Sequence, residues 1–250
     1  MAILTLNFYS KELKMSTTTT LVVPDSVRIG DIPLSKRKVL YLLHGLSDDS
    51  SSPVRLSKIE LYAMETGLVI VIPSAGRSMY CDDIYGQNYF SHIAHELPEY
   101  LNLLFNISQD KNKTYIAGIS MGGLGASRIA LTYPERFKGV GLFSGLLDLK
   151  LMLPHMEEEQ KNDFAFMLPA VNDIDNTPLN PVNLLDGKKH KDLDFYVYCG
   201  LQDDLYWLSV SFMENAKSKG LNVKSIIEDG IHDWYFWDKH LKNFIEDITR

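Results

Sequence analysis

The chain has 250 residues, 45% of them hydrophobic, a formal net charge of −7 and only two cysteines, Cys81 and Cys199. That length suits one large α/β domain spanning 1–250, whose core needs neither disulfides nor structural metals. An acidic balance without a basic block argues against a nucleic-acid groove or an anionic membrane surface as partner, and two separated cysteines outside any CxxC pair favour a reducing compartment. The opening decapeptide MAILTLNFYS has neither the basic region nor the long apolar core of a signal peptide. No later stretch approaches the roughly 20 apolar residues of a membrane helix, so a cytoplasmic protein is expected, without membrane insertion.

In chain order, residues 3–9 and 17–23 read as an antiparallel strand pair joined by the polar Ser10-Lys-Glu-Leu-Lys14. Residues 39–43, 68–72, 114–119, 139–143, 195–199 and 223–227 are continuous apolar runs rather than alternating ones. That is the pattern of parallel strands covered on both faces. Helical segments lie between them at 54–66, 88–105, 122–133, 205–219 and 234–248. The second carries an apolar stripe, Tyr89, Phe90, Ile93, Ala94, Leu97, Leu101 and Leu104, with Pro98 inside it predicting a kink. Strands alternating with helices predict an α/β fold with a mostly parallel eight-stranded sheet and helices on both faces. The interval 146–192 breaks the rhythm with Pro154, Pro169, Pro178 and Pro181, an acidic run at 157–159 and an apolar patch at 164–168. It reads either as a surface excursion with a stub of helix or as a small cap over a catalytic mouth, because loops at strand carboxyl ends build such pockets.

Gly118-Ile119-Ser120-Met121-Gly122 carries the chemistry. Gly-x-Ser-x-Gly between a strand and a helix is a nucleophile elbow, a sharp turn that lifts the Ser120 hydroxyl above the sheet edge. Glycines flank it because a β-carbon there would meet the neighbouring strand and helix. The helix N-terminus places partial positive charge where an oxyanion would form. A serine hydroxyl is a poor nucleophile at neutral pH, so it needs a base, and the base needs an orienting acid.

Two later loops, both after strands, supply those groups: Gly200-Leu-Gln-Asp203-Asp204 and Glu228-Asp-Gly-Ile-His232-Asp233. The chain order Ser, Asp, His is that of the α/β-hydrolase arrangement. His232, between the final strand and the final helix, is the base. Asp203 is favoured as acid over Asp204, one of the two capping the following helix, while Asp233 caps the helix at 234. The backbone N–H groups of Met121 and of Leu46, in the His44-Gly45-Leu46 loop, are the expected oxyanion hole. His44 reads as a loop-shaping residue, and His240 as an exposed residue on the polar face of the last helix. His92 and His95 lie one turn apart but outside an HExxH pattern, so a structural role outweighs a metal. The Asp48–Ser52 run reads as a flexible solvated loop beside the mouth.

With these residues in hand, the sequence resembles the esterase D family of α/β-hydrolases, most closely bacterial tributyrin esterases. The resemblance rests on Tyr41-Leu-Leu-His-Gly-Leu-Ser47, Ile72-Pro-Ser74, Tyr85-Gly86 with Asn88-Tyr89, Glu96-Leu-Pro98, Ala117-Gly-Ile-Ser-Met-Gly-Gly123, Cys199-Gly-Leu-Gln-Asp203 and Gly230-Ile-His-Asp-Trp234. It implies an α/β-hydrolase fold with a small cap-like insertion, a triad acid at Asp203 and hydrolysis of short acyl esters of simple alcohols. Relatives include S-formylglutathione hydrolases and feruloyl esterases. It implies no metal and no organic cofactor; the partner is a small-molecule ester, and a homo-oligomer is compatible with it. Relatives often carry a tryptophan after the oxyanion loop, where this chain has Ser51-Ser52-Pro53. The rival from another class, a catalytically silent hydrolase fold serving as a binding module, is opposed by the intact Ser120, Asp203 and His232.

Overall fold

The computed structural model describes residues 1–25, 30–83, 85–157, 161, 164, 174 and 176–250. Eight strands form one sheet in the order β1-β2-β4-β3-β5-β6-β7-β8. β1 (Ala2–Ser10) and β2 (Met15–Val23) form an antiparallel pair, turning through Lys14 at φ 56°, and β2 runs antiparallel to β4 (Val69–Pro73). β3 (Val39–Leu43), β4, β5 (Thr114–Ile119), β6 (Gly139–Phe143), β7 (Asp194–Gly200) and β8 (Val223–Glu228) are mutually parallel. The strands expected from apolar runs therefore appear within two residues of their expected ends. β3 to β7 are buried almost throughout, as continuous runs require. β8 departs from that pattern: it is the sheet edge, and Lys224 and Ser225 are exposed.

Alternate side chains of each strand enter two separate cores. On one face Ile116, Val140, Leu142 and Val197 pack against α5 (Met121–Thr132) and α8 (Tyr206–Ser218). On the other, Leu40, Ala117, Phe143 and Tyr198 meet α2 (Ile59–Thr66) and α9 (Trp234–Thr249). The helix expected at 54–66 is broken. α1 (Ser52–Leu56) ends at Ser57, whose hydroxyl bonds Pro53 O at 2.6 Å, and α2 starts afresh.

Segment 88–105 is helical as α3 (Tyr89–Ser91) and α4 (Leu97–Phe105), joined by a π-turn at His92–Glu96. Pro98 explains the irregularity. It has no N–H, so the Ala94 carbonyl four residues back loses its helical donor. The turn widens, Leu97 N–H reaching His92 O, and the Arg136 guanidinium takes up Ala94 O. Ile93, Ala94, Leu97 and Leu101 of the apolar stripe are buried, but Leu104, in the last turn, is 47% exposed.

His240 corrects a second expectation. It is fully buried rather than on the polar face, stacked on Tyr198 with its Nε2 3.1 Å from Glu228 Oε1. Burial holds its pKa below the usual histidine value. The interval 146–192 contains α6 (Leu149–Met152), a tight turn at Leu153–His155 and α7 (Pro181–Leu184). Of the apolar patch expected at 164–168 only Phe164 is among the described residues, and it is buried. Both cysteines are free and buried. Among the described residues, no helix is long and apolar enough to cross a membrane.

Candidate active site

At the end of β5 the chain turns through Ser120, which holds φ 55° and ψ −115° before α5 begins at Met121. A non-glycine residue in that region is strained, and persists only where its surroundings over-determine it. Here Ser120 N–H donates to Phe143 O at 2.9 Å, and Ser120 O accepts from Gly123 N–H at 2.9 Å. The flanking glycines have a measurable reason. A β-carbon on Gly118 would sit 1.9 Å from Gly122 O, and one on Gly122 would sit 2.2 Å from Leu43 O. Only bare backbone lets helix, elbow and neighbouring strand approach this closely.

The parallel registers bring the ends of β5, β6, β7 and β8 to one edge, and the two acid–base loops leave from it. His232 Nδ1 lies 3.0 Å from Asp203 Oδ2 and 3.1 Å from Oδ1. The Asp203 side chain is 0% exposed and that of His232 30% exposed. Burial alone would raise the Asp203 carboxyl pKa. Hydrogen bonding from His232 and Ser144, the histidine's charge and the Leu205 N–H at 2.8 Å outweigh it, and hold the group below the usual carboxylate range. A carboxylate on Nδ1 fixes the imidazole tautomer and leaves Nε2 as the proton acceptor.

Asp204 does not share this contact. Its carbonyl accepts from Trp207 Nε1 at 2.8 Å, and the residue lines the cavity described below. The expectation that one of the pair caps the next helix is corrected: α8 starts behind Leu205 without a side-chain cap, because Asp203 spends its oxygens on His232 and the loop N–H. Asp233 does cap α9, accepting from Phe236 N–H at 2.9 Å.

The loop after β3 is organised around His44, which is fully buried. Its Nδ1–H donates to Gly45 O at 2.7 Å, and its Nε2 accepts from Ala75 N–H at 2.9 Å. Both ring nitrogens are thus engaged, and burial keeps the pKa below the usual histidine value. Gly45 O also accepts from Asp48 N–H at 3.2 Å. In a trans peptide the carbonyl and the following N–H point opposite ways. Pinning Gly45 O therefore turns Leu46 N–H away from His44.

Ser120, His232, Leu46 and Met121 line one cavity of about 270 Å³. Its apolar wall includes Met79 and Leu146, with Met152, Met156 and Phe164 from the 146–192 interval. The Asp48–Ser52 segment beside it is only partly solvated: Asp49 is exposed, Ser50 and Ser52 are buried, and Asp49 Oδ1 accepts from Ser51 N–H at 2.8 Å. His92 is a structural residue. It is buried against Phe8, its Nδ1 lying 2.7 Å from Glu96 Oε2 and 3.1 Å from Ser10 Oγ. No cluster of three or more potential metal ligands occurs among the described residues.

The family model for "Esterase" matches residues 10–247. The chain belongs to the Esterase family. Over its whole length it is 30% identical to an acetyl esterase of Caldicellulosiruptor saccharolyticus, covering 99% of that protein. Among solved structures it is similar to the fluorophosphonate-binding serine hydrolase F of Staphylococcus aureus, with a TM-score of 0.88, 27% identity, and 100% and 98% of the two chains covered. It is similar also to the S-formylglutathione hydrolase of the same organism, with a TM-score of 0.87, 26% identity, and 100% and 99% covered. These relatives support the esterase D resemblance, and they place the sheet in the α/β-hydrolase fold. The protein is a serine-type carboxylic ester hydrolase.

Two residues at the site of this esterase escaped sequence reasoning. Ser144 and Trp237 belong to no motif, yet Trp237 packs edge-on to His232 with ring centroids 4.9 Å apart, and its Nε1 donates to Ser144 Oγ at 3.0 Å. The usable signal was positional: Ser144 directly follows the strand next to that of Ser120.

Proposed function

We propose that this esterase hydrolyses short-chain acyl esters through an acyl-enzyme on Ser120, with His232 as general base and Asp203 as the orienting acid. The observation that carries this reading is a single cavity walled by Ser120 and His232, with a buried carboxylate on the far nitrogen of the imidazole. The Ser120 hydroxyl proton passes to His232 Nε2 as Oγ bonds the ester carbonyl carbon. Leu46 and Met121 N–H groups stabilise the oxyanion, each worth about 2.7–4 kcal/mol. The imidazolium then protonates the departing alcohol, and water repeats the cycle on the acyl-enzyme. No metal or organic cofactor enters this chemistry. The reading extends to one domain over 1–250 with 146–192 as a cap, acting in the cytoplasm on a small-molecule ester. Met152, Met156 and Phe164 in the cavity wall support the cap.

Acyl size is limited by that cavity. Each buried CH₂ contributes about 0.8 kcal/mol while room remains. On p-nitrophenyl esters from acetate to palmitate, kcat/KM is expected to rise over the first carbons, peak between about two and six, and fall beyond. A maximum at about twelve carbons or longer, or activation at a lipid–water interface, would refute the small-pocket reading. The likeness to an S-formylglutathione hydrolase supports one second reading, a thioesterase on the same residues. Higher kcat/KM on S-formylglutathione than on every oxygen ester would favour it.

The oxyanion assignment makes His44 testable. His44→Ala removes one of the two donors to the Gly45 carbonyl, leaving only Asp48 N–H, and leaves the buried Ala75 N–H without its acceptor. Stability should fall by about 1–3 kcal/mol, the cost of an unsatisfied buried group. kcat should fall by up to about 10²-fold with a smaller change in KM, as for a mis-set oxyanion donor. A destabilised variant with full kcat would show that the loop holds its shape without this ring.

A further inference from the structure

We propose that a second cleft, on the imidazole side of the site, receives the alcohol portion of the ester and favours an alcohol built as a flat ring carrying a carboxylate; this inference rests on the proposed roles of Ser120 and His232. The cleft has a volume of about 520 Å³, against about 270 Å³ for the cavity at Ser120. Arg55 and Lys58 reach it from α1 and the turn that follows, and Trp234, Tyr235 and Asp238 from the start of α9.

Both walls continue loops of the proposed site. α1 follows the loop that carries Leu46, and α9 begins two residues after His232. Trp234 packs edge-on to Trp237 with ring centroids 5.5 Å apart, and Trp237 packs edge-on to His232 at 4.9 Å. In the proposed reaction the imidazolium hands its proton to the departing oxygen, so the alcohol must lie by the imidazole. The acyl chain has the apolar wall of Leu146, Met152 and Phe164. The roomier cleft is left for the alcohol.

Donor counting says what that alcohol carries. Arg55 Nε–H donates to Ser51 Oγ at 2.9 Å, and an Nη2–H donates to Ser52 Oγ at 3.2 Å. A guanidinium has five N–H donors, so the two serines pin this one and leave three N–H groups without an acceptor among the described residues. Lys58 Nζ has neither a hydrogen bond nor an ion pair among the described residues, and the Trp234 indole N–H has no acceptor there. The carboxylates in the neighbourhood are engaged. Asp238 Oδ1 accepts from Lys58 N–H at 2.8 Å and from Tyr62 Oη–H at 2.9 Å, and Asp49 Oδ1 accepts from the Ser51 hydroxyl at 2.6 Å. Two cations against one engaged carboxylate make the cleft positive, in a chain whose formal net charge is −7. A carboxylate suits the arginine, whose planar fork takes two oxygens at once.

The rings supply the rest. Tyr235 is 90% exposed and Trp234 half-buried, so aromatic surface stands open beside the cations. A flat ring buries that surface where an aliphatic alcohol would cover less of it. The cleft is also preformed: the Asp238 bonds to Lys58 N–H and Tyr62 tie α9 to the α1–α2 turn before any ligand arrives.

The test holds the acyl group constant and compares 4-carboxyphenyl butyrate with 4-carbamoylphenyl butyrate, which keeps the ring and shape but lacks the charge. The native chain should show kcat/KM about tenfold higher on the carboxylate, mostly through KM, because the charge contact exists before and during the reaction. The preference should shrink at about 0.5 M salt. In Arg55→Gln/Lys58→Gln, with folding checked by thermal melting, the ratio should fall to about one. Titration calorimetry on Ser120→Ala reads binding without turnover: the carboxylate ester should bind about tenfold tighter than the amide. Adding Tyr235→Ala should weaken both esters alike, by about threefold.

Equal kcat/KM on the two esters in the native chain would overturn the proposal, and so would a preference that survives in the double variant. Faster turnover of 4-(trimethylammonio)phenyl butyrate than of the carboxylate would overturn it too, making the cleft a cation site built on Asp238 and the rings. If the double variant fails to fold, Lys58→Gln alone, which loses no hydrogen bond, should still lower the ratio by about threefold. Equal binding of the two esters to Ser120→Ala would sink the cleft and leave the triad standing. Turnover by Ser120→Ala would instead remove the triad reading on which the proposal stands.

Discussion

Replacing Ser120 with alanine will abolish ester turnover and fluorophosphonate labelling together, while the protein melts as before. The expected loss in kcat is on the order of 10⁶-fold, as when a triad serine is removed elsewhere. Stability should survive because the elbow is held by main chain. Ser120 N–H bonds Phe143 O at 2.9 Å, and Ser120 O accepts from Gly123 N–H at 2.9 Å and from Leu146 N–H at 3.3 Å. None of these bonds uses the hydroxyl. The strained φ of 55° is as costly to alanine as to serine, so the comparison isolates the oxygen. Labelling that persists in the variant would mean that another residue is the nucleophile.

Asp203→Asn should lower kcat by roughly 10³- to 10⁴-fold, the range known for loss of a triad acid. The amide keeps the shape and can still accept the Leu205 N–H. It presents an NH₂ group toward His232 Nδ1, however, and that stabilises the wrong tautomer and removes the charge that supports an imidazolium. Because Asp203 is fully buried and its carboxyl sits below the usual range, the native protein also loses part of its stabilisation here. Asp204→Asn should cost far less, since Asp204 is engaged through its backbone carbonyl. Steady-state kinetics of the two variants side by side decides the matter, and the reverse ranking would move the acid to Asp204.

The parallel strands were legible because burial on both faces leaves an unbroken apolar run, and β3 to β7 are such runs. Ser120, His232 and Asp203 stood out because each sits in a loop directly after a strand, a position readable from order alone. What failed depended on neighbours distant in sequence. His240 looked solvent-facing by helical periodicity, but Glu228 at the end of β8 and Tyr198 on β7 give it a partner and a cover. The break at Ser57 left no trace in hydrophobic pattern, because both halves of 54–66 present apolar residues at helical spacing. Ser144 was invisible as one more serine. Its importance comes from an indole 93 positions later in the chain, a contact that no local pattern encodes.

The strand order also bears on how the molecule is made. β3, β4, β5 and β6 carry the elbow and its glycine contacts, and they can pair with one another before β7 and β8 exist. Synthesis runs from the N-terminus, and β5 precedes β7 and β8 in the chain. On a growing chain, then, the proposed nucleophile Ser120 is made before its proposed acid and base, Asp203 and His232. In the proposed mechanism, activity waits on the last two strands of the sheet.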